Sequence, residues 1–159
     1  LPVCWTTPKP LNFPVQMMCY KKESKRVKTK MGDSIIKLSI QSDTDEIDKR
    51  KTAQSICPNL IHSLDASCLM LAVIKAKDKG VTNFSLIHDS FGCVAPDVHK
   101  LSEAIREAFC EVYEQDVLTN WAMEMKQMLS DKNAKKFPHI PERGNLDLSL
   151  VKQSIFFCV

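Results

Sequence analysis

The sequence predicts an α+β fold that is mostly helical and contains short antiparallel hairpins. Apolar residues recur every three to four positions in several long segments, and other stretches alternate apolar with polar residues. Gly and Pro separate these patterns. With 159 residues, 44% of them hydrophobic and 26% charged, the chain is long enough to bury one core and too apolar to be a disordered segment.

Residues 1–42 are predicted to form a basic hairpin segment. Alternation favours strands over residues 13–20 and 34–41. Between these strands, residues 21–30 hold six cations and a single acid, Glu23, so we expect the tip of the hairpin to be cationic. Such a run is typical of a solvated surface and equally of a contact with a phosphate backbone, and its composition alone leaves both interpretations open.

Residues 43–159 are predicted to form a second, compact portion that contains most of the helices. A polar helix over residues 45–56 is expected to stop at Cys57-Pro58, because the residue before a proline avoids the helical region. A buried helix then runs from Pro58 to Lys79 and ends at Gly80, a natural residue after a helix. Three further helices are predicted, over residues 98–113, 117–129 and 146–153.

Two short apolar runs, residues 83–88 and 91–95, are predicted to be strands that flank a turn at Asp89-Ser90. A carboxylate is costly inside apolar sequence unless a cation or several donors accompany it. Asp89 therefore has two interpretations. It is either a turn residue that bonds its own backbone, or a ligand of a hard cation such as Mg²⁺. A two-metal site would need a second carboxylate from elsewhere.

A second polar cluster lies inside the long apolar helix, where His62 and Asp65 share one face. A histidine on an apolar helix is often a satisfied core residue, and that interpretation stands beside a functional one. The seven cysteines are odd in number and include no C-x-x-C pair, which indicates free, buried thiols in a reducing compartment and no zinc site. No stretch approaches the roughly 20 apolar residues of a membrane helix, so no membrane partner is expected.

Several motifs resemble a known enzyme family. P-N-L-I-H-S-L-D at residues 58–65, followed by L-I-H-D-S-F-G at residues 86–92, resembles the C-terminal palm and fingers of single-subunit RNA polymerases, the bacteriophage and mitochondrial type. W-T-T-P at 5–8, F-P-V-Q at 13–16, D-E-I-D-K-R-K at 45–51 and P-E-R-G-N-L-D-L at 141–148 resemble further segments of that family, in the same order. The resemblance thus covers nearly the whole chain.

The resemblance implies a right-hand polymerase fold and a catalytic site. Residues 1–42 would follow the fingers helix, and residues 43–159 would form the palm and fingers portion with a terminal foot that includes Phe156 and Phe157. Asp89 corresponds to a catalytic aspartate that holds two Mg²⁺ ions, and His88 precedes it as a second catalytic-site residue. The other catalytic aspartate and the fingers-helix Lys and Tyr of the family match no residue of this chain, so we expect the chain alone to be inactive.

The resemblance also implies contacts with substrate and nucleic acid. His62 and Ser63 match a pair that faces the primer–template and the nucleotide. The hairpin lies close to the nucleic-acid path, which favours phosphate contacts for its cations Lys21, Lys22, Lys25, Arg26 and Lys28. The implied partners are a DNA template, nascent RNA, nucleoside triphosphates and the remainder of the polymerase chain. The expected location is the cytoplasm of a bacterial host for a phage protein, with the mitochondrial matrix as the alternative.

Two other classes of protein stay open on the sequence. One is a nucleic-acid-binding module that keeps the basic hairpin and has no catalysis. The other is a palm fragment of a related DNA polymerase, which also uses a His-Asp turn. The P-N-L-I-H-S-L-D block and the terminal Phe pair favour the RNA polymerase pattern over the DNA polymerase one.

Overall fold

The computed structural model describes residues 2–157 and combines helices with three separate two-stranded antiparallel sheets. This is the α+β class that the sequence predicts. The elements in chain order are β1 (Val3–Thr6), β2 (Pro14–Met17), β3 (Tyr20–Met31), β4 (Ser34–Ile47), α1 (Lys49–Asp78), β5 (Phe84–Ile87), β6 (Ser90–Cys93), α2 (Val98–Tyr113), α3 (Val117–Gln127), α4 (Asp131–Ala134) and α5 (Ser149–Gln153).

The main core lies between the antiparallel helices α1 and α2. Leu71 and Ala72 of α1 pack with Ala108 and Val112 of α2, and a second cluster joins the end of α1 to the start of α2. Buried alanines on both helices allow their backbones to approach closely. Salt bridges run along the edge of the pair, from Lys75 to Glu111 and from Lys79 to Glu103 and Glu107.

A second core attaches the first strands to the helices. Trp5 of β1 and Met17 of β2 are buried against Leu60 of α1 and Met125 of α3. The amino-terminal strands therefore share a core with helices of the second predicted portion. Strand β4 continues to Ile47, beyond the predicted boundary at residue 42, and the division into two portions stays a prediction.

The basic hairpin forms, but its strands differ from those predicted. β2 pairs with β1, whereas the cationic run itself is strand β3 and pairs with β4. The tip is Gly32-Asp33, where Gly32 has φ of 62° and supplies the left-handed backbone that the turn requires. The prediction of a cationic loop at the tip is therefore wrong, because exposed lysines that alternate in a ribbon are compatible with a strand.

The break predicted at Cys57-Pro58 is also wrong, since α1 is one helix of 30 residues that runs through Pro58. Asp48 caps its start by accepting a hydrogen bond from the Lys51 backbone N–H at 2.9 Å. Pro58 lacks an N–H, so the Gln54 carbonyl loses its helical partner. Both residues are exposed, and water can bond the freed carbonyl.

Helix α1 also corrects the expectation about membrane-length segments. It contains an 18-residue window with a mean hydropathy of 1.4, so by length and composition alone it would suffice to cross a membrane. Core helices pass the same test. Only 22% of this window is buried in the structure, and large apolar residues such as Ile61 and Ile74 are exposed, so the prediction of a buried helix over residues 58–79 is wrong for most of its length.

Gly80 ends α1 as predicted, with a φ of 88°. The Gly80 N–H donates to the Lys77 carbonyl at 2.9 Å and the Val81 N–H to the Ala76 carbonyl at 3.0 Å, which together form a Schellman motif.

We expect Gly80→Ala to lower the free energy of unfolding by about 1 kcal/mol, because a Cβ disfavours positive φ. No atom lies within 4 Å of the added Cβ, so the effect isolates the backbone term. Gly144→Ala is the matched control, since its Cβ is equally free and its φ is not positive. Urea unfolding measures both variants, and equal midpoints for the two would contradict this explanation.

Candidate functional site

The turn that carries Asp89 lies at the end of the β5–β6 hairpin. Ile87 pairs with Ser90, so the turn residues are His88 and Asp89 rather than the predicted Asp89 and Ser90. His88 has a φ of 53°, an unfavourable conformation for a non-glycine residue. Both turn residues are exposed, and among residues 2–157 the Asp89 carboxylate accepts no hydrogen bond. Asp89 therefore does not form the backbone-bonded turn that was one of its two interpretations.

The hairpin lies against the α1–α2 pair. Phe84 and Cys93, at the open end of the hairpin, pack against the cluster around Ala76. Phe91, two residues nearer the turn, also reaches the cluster around Leu71. Phe91 thus anchors the hairpin on both clusters of the α1–α2 core, two residues away from Asp89.

The two members of the H-S pair face different surroundings. His62 is exposed, so it is not the satisfied core histidine that one interpretation held. Ser63 is buried, its hydroxyl donates to the Leu60 carbonyl at 2.6 Å, and its oxygen accepts the Trp5 indole N–H at 3.0 Å. Nucleic acid could reach the Ser63 hydroxyl only by displacing these contacts.

The β3–β4 ribbon has one basic face and one apolar face, which its register separates. Arg26 lies opposite Ser39, and Lys28 lies opposite Lys37. Side chains alternate between faces, so the basic face comprises Lys22, Arg26, Lys28, Lys30 and Lys37 with Asp43 as its acid. The other face comprises Glu23, Lys25, Val27, Thr29 and Met31 with their partners Ser42, Ile40, Leu38, Ile36 and Ser34.

This register divides the five cations named from the sequence. Lys22, Arg26 and Lys28 share the basic face, whereas Lys25 lies on the apolar face. Lys21 is paired with Glu46 at 2.5 Å, and this hydrogen bond raises the pKa of Lys21 and lowers that of Glu46. Sequence reasoning did not select Lys30 or Lys37, although the period of two across residues 21–30 could have indicated which cations share a face.

Comparison with known proteins identifies the family. The sequence model of the family described as DNA-dependent RNA polymerase matches residues 1–136. The chain belongs to this polymerase family. It is 40% identical over 155 residues to the chloroplastic/mitochondrial DNA-directed RNA polymerase 2 of Arabidopsis thaliana, covering 98% of this chain and 14% of that protein. It is 37% identical over 158 residues to the DNA-directed RNA polymerase of Enterobacteria phage T3, covering 97% of this chain and 18% of the phage protein.

These relatives are single-subunit polymerases of the phage and organelle type, as the sequence motifs predicted. The tobacco DNA-directed RNA polymerase 1A is 35% identical over 156 residues, which is 98% of this chain and 94% of that sequence. The chain therefore spans less than a fifth of the Arabidopsis and phage relatives and nearly all of the tobacco sequence.

In this polymerase chain, the last described residues pack on the outside of α2. The Arg106 guanidinium donates to the Val151 carbonyl at 3.0 Å and to the Ser154 carbonyl, and it lies 5.7 Å from the Phe157 ring centroid. Phe157 also packs edge-on against Phe109, with ring centroids 5.0 Å apart. Phe156 is 80% exposed. Cys158 and Val159 of the predicted foot lie outside the described residues.

The polymerase chain offers few groups for metal chemistry by itself. Within residues 2–157, no three His, Cys, Asp or Glu side chains lie close enough together to hold a metal ion. Of the six cysteines in that range, Cys110 is buried and Cys57 is exposed, so the prediction that all are buried is wrong. Burial raises the pKa of the Cys68 thiol to about 11. Cys68 is therefore protonated at neutral pH, which makes it a weak nucleophile.

Proposed function

We propose that the chain is the C-terminal palm and fingers portion of an enzyme that synthesises RNA on a DNA template by nucleotidyl transfer. The observation that carries this proposal is the exposed Asp89 carboxylate at the turn of the β5–β6 hairpin. The hairpin packs through Phe84, Phe91 and Cys93 on the α1–α2 core, and we place the exposed His62 beside its turn in the assembled polymerase. Membership of the polymerase family supplies the reaction class.

Asp89 fits the role of one ligand for Mg²⁺, which binds oxygen atoms and takes one or two carboxylates from a protein. We do not expect it to form a two-ion site alone, because within residues 2–157 no group of three His, Cys, Asp or Glu side chains is placed to hold a metal ion. The second ligand would come from the remainder of the polymerase. Mg²⁺ bound there would stabilise negative charge on the attacking and leaving oxygens. His88 holds the turn through its left-handed backbone and so positions the carboxylate.

The basic face of the ribbon is suited to phosphate contact. Its five cations project from a hairpin whose strands pair only with each other. Contact with phosphates gives affinity without sequence information. We therefore assign this role to Lys22, Arg26 and Lys28, together with Lys30 and Lys37. Lys25 and Lys21 are not part of it, because one faces the apolar side and the other is paired with Glu46.

We expect the triple variant Lys22→Gln/Arg26→Gln/Lys28→Gln to bind duplex DNA more weakly and with less salt dependence. Each lost phosphate contact lowers the slope of log affinity against log salt by about 0.9, so the slope should fall by up to about 2.7. Fluorescence anisotropy over a salt series measures this slope. Lys25→Gln is the matched control from the other face. The assignment of phosphate contacts to the basic face would be contradicted if Lys25→Gln lowered the salt slope by as much per charge as the triple variant does.

The function is tested by RNA synthesis in a chimera in which this chain replaces the matching segment of the phage T3 relative. The chimera should incorporate ribonucleotides in a template-dependent, Mg²⁺-dependent manner, and the isolated chain should not. Clear product from the isolated chain would contradict the need for an upstream aspartate. A folded chimera that binds DNA but makes no product would favour the non-catalytic module, and incorporation of deoxyribonucleotides alone would favour the DNA polymerase.

The partners and location follow from this proposal. Template DNA, nascent RNA, nucleoside triphosphates and the remaining polymerase chain are the partners, and no membrane is among them. The relatives come from a phage and from plant organelles, so both the bacterial host cytoplasm and the mitochondrial matrix fit, and we propose the first.

A further inference from the structure

A buried hydrogen bond links β1 to the helix turn that carries His62. The Trp5 indole N–H donates to the Ser63 hydroxyl, and both residues are almost completely buried, at 3% and 9% exposure. The bond joins positions that are 58 residues apart. The neighbouring residue His62 lies on the exposed side of the same turn. The Trp5–Ser63 bond therefore fixes β1 against the buried face of this turn of α1, and the His62 imidazole lies on the exposed face of the same turn.

This link lies about one turn after the position where α1 lacks one backbone hydrogen bond. Pro58 provides no N–H to the ladder, and such a position favours bending. The Asn59 side chain donates to the Ser55 carbonyl at 2.7 Å and supports the same region. Beyond these contacts, Leu60 packs on Trp5 and Met17. The turn that follows Pro58 thus depends on packing and on the Trp5–Ser63 bond for its orientation.

We propose that Trp5 and Ser63 are positioning residues that hold His62 in the orientation with which it meets nucleic acid. This inference rests on the proposed function, because it takes His62 as the contact. It gives Ser63 a different role from the direct contact implied by sequence resemblance. It also explains a buried serine in a core of Leu60, Trp5 and Met125, since an alanine would pack there without needing a partner.

The test is a double-mutant cycle on binding of the chain to a short RNA–DNA hybrid duplex. Ser63→Ala and Trp5→Phe each remove the bond and should weaken binding by about fivefold, the equivalent of one hydrogen bond. His62→Ala should weaken binding by at least as much. In the His62→Ala background, Ser63→Ala should weaken binding by less than a further factor of about two, because the Trp5–Ser63 bond acts on binding through the His62 imidazole. Ser63→Thr keeps the hydroxyl and should restore most of the affinity.

Ser67→Ala is the matched control. Ser67 is a fully buried serine of the same helix, whose hydroxyl donates only to the Ser63 carbonyl at 2.7 Å. Urea midpoints separate loss of folding from loss of orientation. The proposal is overturned if Ser67→Ala weakens binding as much as Ser63→Ala, or if the effect of Ser63→Ala is undiminished without His62.

The failure of this proposal can be told from the failure of the proposed function. If His62→Ala weakens hybrid binding and Ser63→Ala does not, the positioning role of Trp5 and Ser63 is wrong and the contact by His62 stands. If His62→Ala leaves binding unchanged, or if the unaltered chain does not bind the hybrid, the assignment of His62 as a nucleic-acid contact fails. The positioning role of Trp5 and Ser63 then fails with it.

Discussion

Asp89→Asn should abolish RNA synthesis by the chimera, with a rate at least about 10³-fold below that of the unaltered chimera. The substitution removes the charge that binds a divalent cation and keeps the size of the side chain. Metal ions contribute several kcal/mol to phosphoryl transfer, and each 1.36 kcal/mol is a factor of ten in rate. Single-nucleotide extension of a labelled primer, measured over a range of Mg²⁺ concentrations, gives the rate.

The other hairpin provides the control, because Asp33 also lies exposed in its two-residue turn. Asp33→Asn removes the same charge from a similar backbone and should change the rate by less than about threefold, since a single exposed charge contributes little. The catalytic assignment of Asp89 would be lost if Asp89→Asn retained a rate within tenfold of the unaltered chimera, or if excess Mg²⁺ had no influence on either rate.

Leu71→Ala should cause the largest loss of stability, about 2–5 kcal/mol in the free energy of unfolding. Leu71 is 3% exposed and packs against Ala108 and Val112 of α2. Its neighbours are small or belong to two rigid helices, so they cannot fill the cavity that the substitution leaves. Urea unfolding followed by circular dichroism measures the change.

Ile74→Ala is the control on the same helix, because Ile74 is 47% exposed and leaves no enclosed cavity. It should cost less than about 1 kcal/mol. Equal losses for the two variants would show that the α1–α2 contact is not the main core. The same two variants also test whether the Leu71 cluster supports the β5–β6 hairpin. Phe91 of that hairpin packs on the cluster, and the turn of the hairpin holds Asp89.

The helices and the β5–β6 hairpin could be predicted because local patterns specify them. The three-to-four spacing of Leu101, Ala104 and Ala108 predicts α2, and Gly80 predicts the end of α1. The short apolar runs around Asp89 predict two strands, although the turn lies one residue earlier than expected. In each case the decisive interactions join residues close in sequence.

The features that sequence analysis missed depend on contacts between distant residues. Pro58 predicts a break, yet packing of Leu60 on Trp5 and Met17 keeps α1 continuous. Ser63 matched a family motif, but its bond to Trp5 could not be inferred from either segment alone. The strand through residues 20–31 has few apolar residues, so no apolar alternation marks it as a strand, and its partner β4 is known only from the pairing in the structure.

Metal-directed cleavage of the chimera tests most directly whether Asp89 and His62 belong to one catalytic centre. With Fe²⁺ bound in place of Mg²⁺, added hydrogen peroxide is reduced to hydroxyl radicals that cut the backbone nearby, ascorbate regenerates the Fe²⁺, and end-labelled fragments give the positions. We expect cuts in residues 87–90 and in α1 around His62, both suppressed by excess Mg²⁺ and absent in Asp89→Asn. Cuts that avoid the turn, or that persist unchanged in Asp89→Asn, would contradict the placement of the metal at Asp89.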